Sequence, residues 1–505
     1  MQHPAGLAWE RSLETRERPI HLSSTRAQLR SRMTADRSFS NLLTAASRGW
    51  CERKGDEGVL SLALPLDEVD PLYHLPLLAD EHPFQFLWDS APGLCFAAAG
   101  QCQSLDLAGP RRFELAQRFS DTTLARLTDA TPNAPTQARA KILLAFSFFD
   151  HPAERQRSQI HTSAVQAVLP RWQLSRQGRH GWLRLNGVIT QQAEARDLAE
   201  QLWLMAENLL DPNHNSKDFW PSSVRGTTEL QPWQECYRPA LKRGLDLVSS
   251  GELNKLVLAV RQSIQLQAPL NPLPVLAKLR QQQSGSCRFL WRRSHEDAFF
   301  GASPERLLSL QGNQLRTDAL AGTADRNDDG QGLLRSEKDR REHELVVASI
   351  TSQLFNQGLT PRRPRNPQLA RHGQLVHLHT PITANAMGHT SLNLAKILHP
   401  TPAVAGLPCR EAMAWLRTLE PFERGSYAAP IGWIDSQGDT ELRVAIRCGH
   451  ARGSVLDLTA GAGLVRGSVV ERELQEVGMK LSVLADQLDL DAKDQPRLTS
   501  KRAIT

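Results

Sequence analysis

Strand-length apolar runs recur along almost the whole chain, and only a few stretches between them carry helical spacing. Residues 142–149 form a nearly continuous apolar run that suits a buried strand, and 165–174 and 182–189 read as strands as well. Lys255–Leu266 alternates as a strand, and 298–310 predicts two strands around a Ser-Pro turn. Residues 431–435, 441–448 and 455–459 add three more. Helical spacing is confined to 193–210, 273–283, 334–356, 413–419 and 469–488. Many strands bracketed by a few long helices predict an α+β layered sandwich. No tandem repeat at a period of ~20–50 residues breaks that pattern.

Composition narrows the function classes. A length of 505 residues fits about three domains, or one or two large ones. Hydrophobic residues make up 40% and charged residues 23%, ordinary values for a soluble globular protein. Sixty Lys and Arg against 54 Asp and Glu leave a net charge of only +6, so no nucleic-acid partner is expected. No stretch approaches the ~18–20 consecutive apolar residues of a membrane helix, and no membrane span is expected. Seven cysteines, an odd number without a CxxC pair, argue against structural zinc and a disulfide scaffold. They fit a reducing compartment, so a cytoplasmic location is expected.

Residues 1–50 carry eight arginines among Ser, Thr and Glu, with little apolar periodicity before Leu42, and predict a flexible leader. Glu10, Glu14 and Glu17 weigh against a transit peptide, and no apolar region follows the start as in a secretory signal. A nucleic-acid role for this leader would show as a salt-sensitive shift lost on its deletion. Residues 211–233 gather Pro, Asn, His, Ser and Gly and predict a connection between halves. The expected organisation is therefore a leader 1–50, a first half 51–235, a second half 236–490 and a flexible tail 491–505.

Four features could carry chemistry, and each has a plain structural reading beside the functional one. Lys255 heads an apolar strand, ordinarily as a solvated end residue. It could serve as a base only if buried, because desolvation lowers a lysine's pKa. Ser303-Pro304-Glu305-Arg306 reads as a turn with an exposed ion pair, or as a turn that aims Glu305 into a cleft as a proton donor. Asp339 and Glu342 share one helix face, and Glu473 and Glu476 another, with Lys480 four residues on. A lone Glu476–Lys480 pair would contribute only ~0.2–0.5 kcal/mol. Two such helices face to face could instead hold a hard cation such as Mg2+. The small residues 459–465 could let backbone N–H groups approach an anion, or simply make a tight bend after a strand. They are not a dinucleotide fingerprint, because Arg466 stands at the third glycine position. Residues 319–323 form a second small-residue loop of the same kind.

Ten segments in order complete the reading: LNKLVLAV, FFGASPERLLSL, LRTDALAGTAD, REHELVV, LVHLHTPI, LHPTPAVAGLP, YAAPIGW, LRVAIRCG, TAGAGLVRGS and ERELQEVGMK. Together they resemble the chorismate-utilising enzymes, which include isochorismate, salicylate and anthranilate synthases. The resemblance runs from about Gly251 to Leu488. It implies a large sandwich of antiparallel sheets flanked by helices, with 51–235 as its more variable first half and 236–490 as its chorismate-binding catalytic region.

The resemblance also selects among activities. Water-using members carry a lysine where Lys255 stands, and anthranilate synthases a glutamine. Ala321 stands where aminodeoxychorismate synthases place the lysine that attacks chorismate, and no glutaminase-like cysteine motif appears. No glutamine amidotransferase subunit is therefore expected. Ala403 stands where salicylate and anthranilate synthases tend to have threonine, which favours isochorismate synthase. Asp318, where relatives often have glutamate, is assigned no role.

The resemblance implies Mg2+ as the metal, no organic cofactor, and chorismate as the substrate. It makes Lys255 the base for water attacking C2 and Glu305 the acid for the leaving C4 hydroxyl. Glu342 and Glu476 become the metal ligands, with Asp339 and Glu473 behind them. Arg447, Tyr427 and the backbone of Gly461, Ala462 and Gly463 would receive the enolpyruvyl carboxylate. Lys480 and the Gly322–Thr323 loop would position the ring side, and His377 would close the pocket. The product would feed menaquinone, phylloquinone or siderophore synthesis. The alternatives are a salicylate synthase and a non-catalytic chorismate-binding relative. Nothing in the sequence bears on oligomeric state.

Overall fold

Lys255–Leu266 forms the expected strand in the computed structural model, which describes residues 37–490 except 57, 81, 91, 132–133, 152–162, 212–224, 228–232 and 327–329. It runs antiparallel to Val455–Leu464 along that strand's whole length. From there pairing continues through Cys448–Arg452, Asp297–Ser303, Cys287–Ser294, Gln85–Asp89, Cys95–Leu107 and Val165–Gln177. Val165–Gln177 makes the corner, because it also pairs Lys141–Phe146. A second run leads on through Pro430–Asp435, Thr440–Val444, Arg306–Gln311, Gln314–Asp325, Leu375–Asn385 and Gln368–His372. Every neighbour in both runs is antiparallel, as expected of this α+β sandwich.

One apolar cluster fills the sandwich and takes Phe86, Phe289 and Leu456 from the first run and Ile431, Leu442 and Ile382 from the second. Each such side chain stabilises the fold by ~1.5–3 kcal/mol when taken fully out of water. The helix Val470–Ala485 packs on the Val455 strand, and Glu337–Phe355 on the Gln314 strand. Both cover the sheets with an apolar stripe at helical spacing: Leu474, Val477, Leu481 and Leu484 in one, Val346, Val347, Ile350 and Leu354 in the other. Among the described residues no helix is long and apolar enough to cross a membrane.

Five boundaries differ from expectation, one of them the small-residue loop expected over 319–323, which lies inside the strand Gln314–Asp325. The helix expected over 334–356 is two, Gln331–Arg335 and Glu337–Phe355, because Ser336 adopts an extended conformation and caps the second. Its hydroxyl accepts from the Asp339 N–H at 3.2 Å. The strand expected over 142–149 ends at Phe146, and the Phe148 N–H turns to the Gly425 carbonyl instead. The strand expected over 441–448 is two, Thr440–Val444 and Cys448–Arg452, which belong to different runs. Arg447, at φ 54°, makes the break between them. The small-residue bend expected after Thr459 is a continued strand to Leu464.

The end of the expected leader forms the helix Arg37–Cys51, which buries Phe39, Leu42 and Ala46. Residues 1–36, the tail 491–505 and most of the expected connection lie outside the described residues. The boundary expected at 235/236 falls inside the helix Trp233–Ser249.

Candidate active site

Lys255 opens its strand beneath the Glu337–Phe355 helix, and its side chain is 1% exposed. Its Nζ stands 2.9 Å from Glu342 Oε1. The solvated-end reading therefore fails, and the burial that the functional reading required is present. Gly463 on the adjacent strand explains how the pair fits. A Cβ there would collide with Glu342 Oε1 and stand 3.2 Å from Lys255 Cε. The small residues of this strand make room for a buried ion pair. We expect Gly463→Ala to displace that pair and lower kcat by on the order of 10²-fold, with the unfolding curve showing an intact fold.

Glu305 lies between Asp297–Ser303 and Arg306–Gln311, and hydrogen bonds from both sides fix it. Its N–H donates to Ser303 Oγ at 3.2 Å, and its carbonyl accepts from the Val444 N–H at 3.1 Å. Thr401 Oγ1 donates to the Glu305 carboxyl at 3.4 Å. The side chain is buried rather than paired with Arg306, whose guanidinium goes to Asp318 at 2.8 Å. Burial pushes the Glu305 carboxyl up to about 7, against the opposing pull of Lys255, the Thr401 hydroxyl, Arg447 and Lys480.

Arg447 enters the site from the break between strands, and His377 holds it. His377 Nδ1 lies 2.8 Å from the Gly322 carbonyl, which can only accept, so Nδ1 carries the proton. Nε2 is then free to accept from Arg447 Nη2 at 3.3 Å. Burial keeps this imidazole neutral, well below its ordinary range, with Arg447 adding to the effect. Burial also pulls Arg447 down to about 10.

Glu476 and Lys480 come from the Val470–Ala485 helix and are partly exposed. Lys480 Nζ bonds Glu476 Oε1 at 2.6 Å and the Gly461 carbonyl at 2.8 Å. Thr323 Oγ1 donates to Glu476 Oε1 at 3.1 Å. Burial works against the Glu476 charge, but Lys480 holds its carboxyl below the ordinary range. Burial and then the Glu476 charge push Glu473 the other way. Glu473 Oε1 accepts from Lys338 at 2.9 Å, and Lys338 and the Ser468 hydroxyl partly oppose that push.

All of these groups but Glu473 and its partner Lys338 gather around one cavity that opens to solvent, with about 650 Å3 of empty space including its open mouth. It is lined by Lys255, Glu305, Gly322, Thr323, Glu342, His377, Ala403, Tyr427, Arg447, Gly461, Gly463, Glu476 and Lys480. Three expected residues stand outside the lining. Ala462 is fully buried and alternates with the glycines on either side of it. Asp339 lies behind Gly322, with its Cβ 3.6 Å from where a Gly322 Cβ would stand, and Glu473 turns to Lys338.

Val257, Leu320, Ala321, Val404, Ile446 and Ala460 complete the wall. Sequence reading gave Val257, Val404 and Ile446 no role, placed Leu320, Ala321 and Ala460 in small-residue runs, and used Ala321 also to disfavour covalent amination, although Val257, two residues from Lys255, was legible from strand alternation. Thr401 and Lys338 were also passed over, because hydroxyl and lysine partners of buried carboxyls carry no spacing signature. Arg447 and Lys480 place two cationic groups on the cavity wall, where an anion can be received.

The family profile described as "Chorismate binding enzyme" matches residues 42–489. The chain belongs to the chorismate-binding enzymes. The match takes in both halves of the sandwich, well beyond the segments that carried the resemblance. This chorismate-binding enzyme is 30% identical to the salicylate biosynthesis isochorismate synthase of Pseudomonas aeruginosa, over 85% of this chain and 90% of that one. It is 32% identical to the isochorismate synthase MenF of Bacillus subtilis, over 67% and 73% of the two chains. Its fold matches MenF, the menaquinone-specific isochorismate synthase from Escherichia coli, with a TM-score of 0.69 at 26% identity. That match covers 88% of this chain and all of the other. Anthranilate synthase component I from Streptococcus pneumoniae, at 18% identity and a TM-score of 0.62, shares the fold alone.

Proposed function

We propose that this chorismate-binding enzyme is an isochorismate synthase, an isomerase that adds water at C2 of chorismate and releases the C4 hydroxyl. One observation carries the reading: a carboxyl held protonated near neutral pH, Glu305, shares a cavity with a buried lysine. Lys255 takes a proton from the attacking water, and Glu305 gives one to the departing hydroxyl. Each role supplies ~10²–10⁴-fold, or ~3–5 kcal/mol of barrier. Arg447 receives the enolpyruvyl carboxylate through its bidentate fork, together with Tyr427 and the backbone at Gly461 and Gly463. His377, neutral, orients Arg447 from behind. Lys480, Gly322 and Thr323 position the ring side, and Val257, Leu320, Val404 and Ile446 exclude bulk water. Ala403 puts a methyl group rather than a hydroxyl at its own place in the wall, in keeping with a reaction that stops at isochorismate.

The donor set suits Mg2+. Its oxygens are hard, and two carboxylates, Glu342 and Glu476, line the same cavity. Among the described residues no three His, Cys, Asp or Glu side chains form a cage by themselves. Mg2+ tolerates this, since it takes one or two carboxylates and keeps waters and substrate oxygens. Glu342 and Glu476 would hold it, with Asp339 and Glu473 behind. Bound there, Mg2+ would neutralise and anchor the ring carboxylate.

In this reading 51–235 is the variable half of one sandwich and 236–490 its catalytic region, working in the cytoplasm without an amidotransferase subunit. The product serves quinone or siderophore synthesis.

Incubating the purified protein with chorismate and separating the products tests the proposal. Isochorismate should form with Mg2+, disappear with EDTA and return on adding the metal, with metal binding itself followed by calorimetry. Salicylate with pyruvate would move the enzyme to the lyase branch. Bound but unchanged chorismate would make it a non-catalytic relative.

A further inference from the structure

The strand that carries Lys255 has a second edge, and regular pairing along it stops early. Residues 406 and 407 pair with Leu256 and Lys255, and the Val257 N–H reaches the Ala405 carbonyl at 2.9 Å. Beyond that point the Val257 carbonyl and the Ala259 N–H would be buried without a strand partner, which backbone polar groups do not tolerate. A buried ion pair takes over. Arg424 Nη2 donates to the Val257 carbonyl at 2.7 Å, and Arg424 Nη1 to the Val404 carbonyl at 2.7 Å. The Ala259 N–H donates to Glu420 Oε1 at 2.8 Å. Arg424 and Glu420 are joined by two parallel bonds, Nε to Oε2 at 2.8 Å and Nη2 to Oε1 at 2.6 Å.

Both side chains are at most 2% exposed, and neither lines the substrate cavity. What they hold does line it. Val257 lies two residues from Lys255 on the same strand face, and Val404 follows Ala403. The same segment carries Thr401, whose hydroxyl bonds the Glu305 carboxyl. One guanidinium thus bridges the strand of the base and the segment that touches the acid.

The geometry points to the Glu420–Arg424 pair as a positioning unit that sets the spacing of Lys255 and Glu305 across the cavity. It touches no substrate, and its catalytic effect rests on the isochorismate synthase reading. Arginine is needed because only a planar fork serves a carboxylate and two separate carbonyls at once.

Arg424→Lys should lower kcat by on the order of 10²-fold, the cost of misplacing reacting groups by about 1 Å, with KM for chorismate little changed. Backbone amide exchange should quicken at Ala259 and across 403–405. A second variant guards against misfolding. Glu420→Gln combined with Arg424→Met removes both charges together, leaving no ion buried alone. Its unfolding temperature should fall only by the loss of the donors to the Val257 and Val404 carbonyls, leaving it folded at the assay temperature, yet it should show the same loss of kcat.

Wild-type kcat per folded molecule in both variants, with only the unfolding temperature lowered, would reduce the pair to packing and overturn the inference. Unchanged exchange at Ala259 and 403–405 would overturn it as well, whatever the activity. A wild-type protein that makes no isochorismate would instead defeat the proposed function, and the exchange experiment would still decide the bridge.

Discussion

Lys255→Ala is expected to lower isochorismate formation by about 10²–10⁴-fold, the full contribution of a general base. The other nitrogen groups of the cavity do not stand in. Lys480 is engaged by Glu476 and the Gly461 carbonyl, and Arg447 keeps its proton at working pH. His377 already spends its basic nitrogen on Arg447. The alanine variant also leaves Glu342 without its partner, and breaking a buried pair costs ~3–5 kcal/mol. Loss of activity alone would therefore confuse chemistry with folding. Lys255→Gln separates them, since a side-chain amide still donates to Glu342 but cannot take a proton. The glutamine variant should keep a near-wild-type unfolding temperature and still lose turnover. Full turnover in it would remove Lys255 as the base.

Legibility from sequence divides along a physical line. Strand and helix identities followed from apolar spacing, because burial of one face is what both the sequence and the sheets record. Lys255–Leu266 is the clearest case, with the same ends in both. What spacing could not show is which side of a buried surface a polar group meets. Glu305 and Arg306 look like an ion pair, yet one faces the cavity and the other Asp318. The run around Gly461 and Gly463 looks like an anion loop, yet it is strand, with the missing side chain of Gly463 leaving space for Lys255 and Glu342. Arg447 sits inside an apolar alternation and reads as mid-strand, because a left-handed φ in a non-glycine residue leaves no trace in composition. Thr401, Glu420 and Arg424 matter through tertiary hydrogen bonds alone, and no local pattern announces those.

Glu305→Gln should remove the acid and with it one limb of the pH profile. In the wild-type enzyme the carboxyl is protonated below about 7, so kcat should fall as pH rises through that value. Glutamine keeps the size and can still accept from Thr401, but it cannot transfer a proton. Turnover should drop by about 10²–10⁴-fold, and the residual rate should lose its decline above pH 7. Stability should move the opposite way. The folded carboxyl titrates near 7 and the unfolded one near 4.5, so the fold favours the protonated form. That contribution is fully present below pH 4.5 and is lost as pH rises to about 7, where ionisation costs the fold about 3 kcal/mol. The glutamine variant escapes this cost, so at pH 8 it should unfold at a higher temperature than the wild type. The difference should shrink steadily toward pH 4.5. A variant both slower and more stable at alkaline pH is what a strained, functional carboxyl produces. Unchanged turnover would remove Glu305 from the reaction. An unfolding difference that ignores pH would show that its carboxyl is not held protonated by burial.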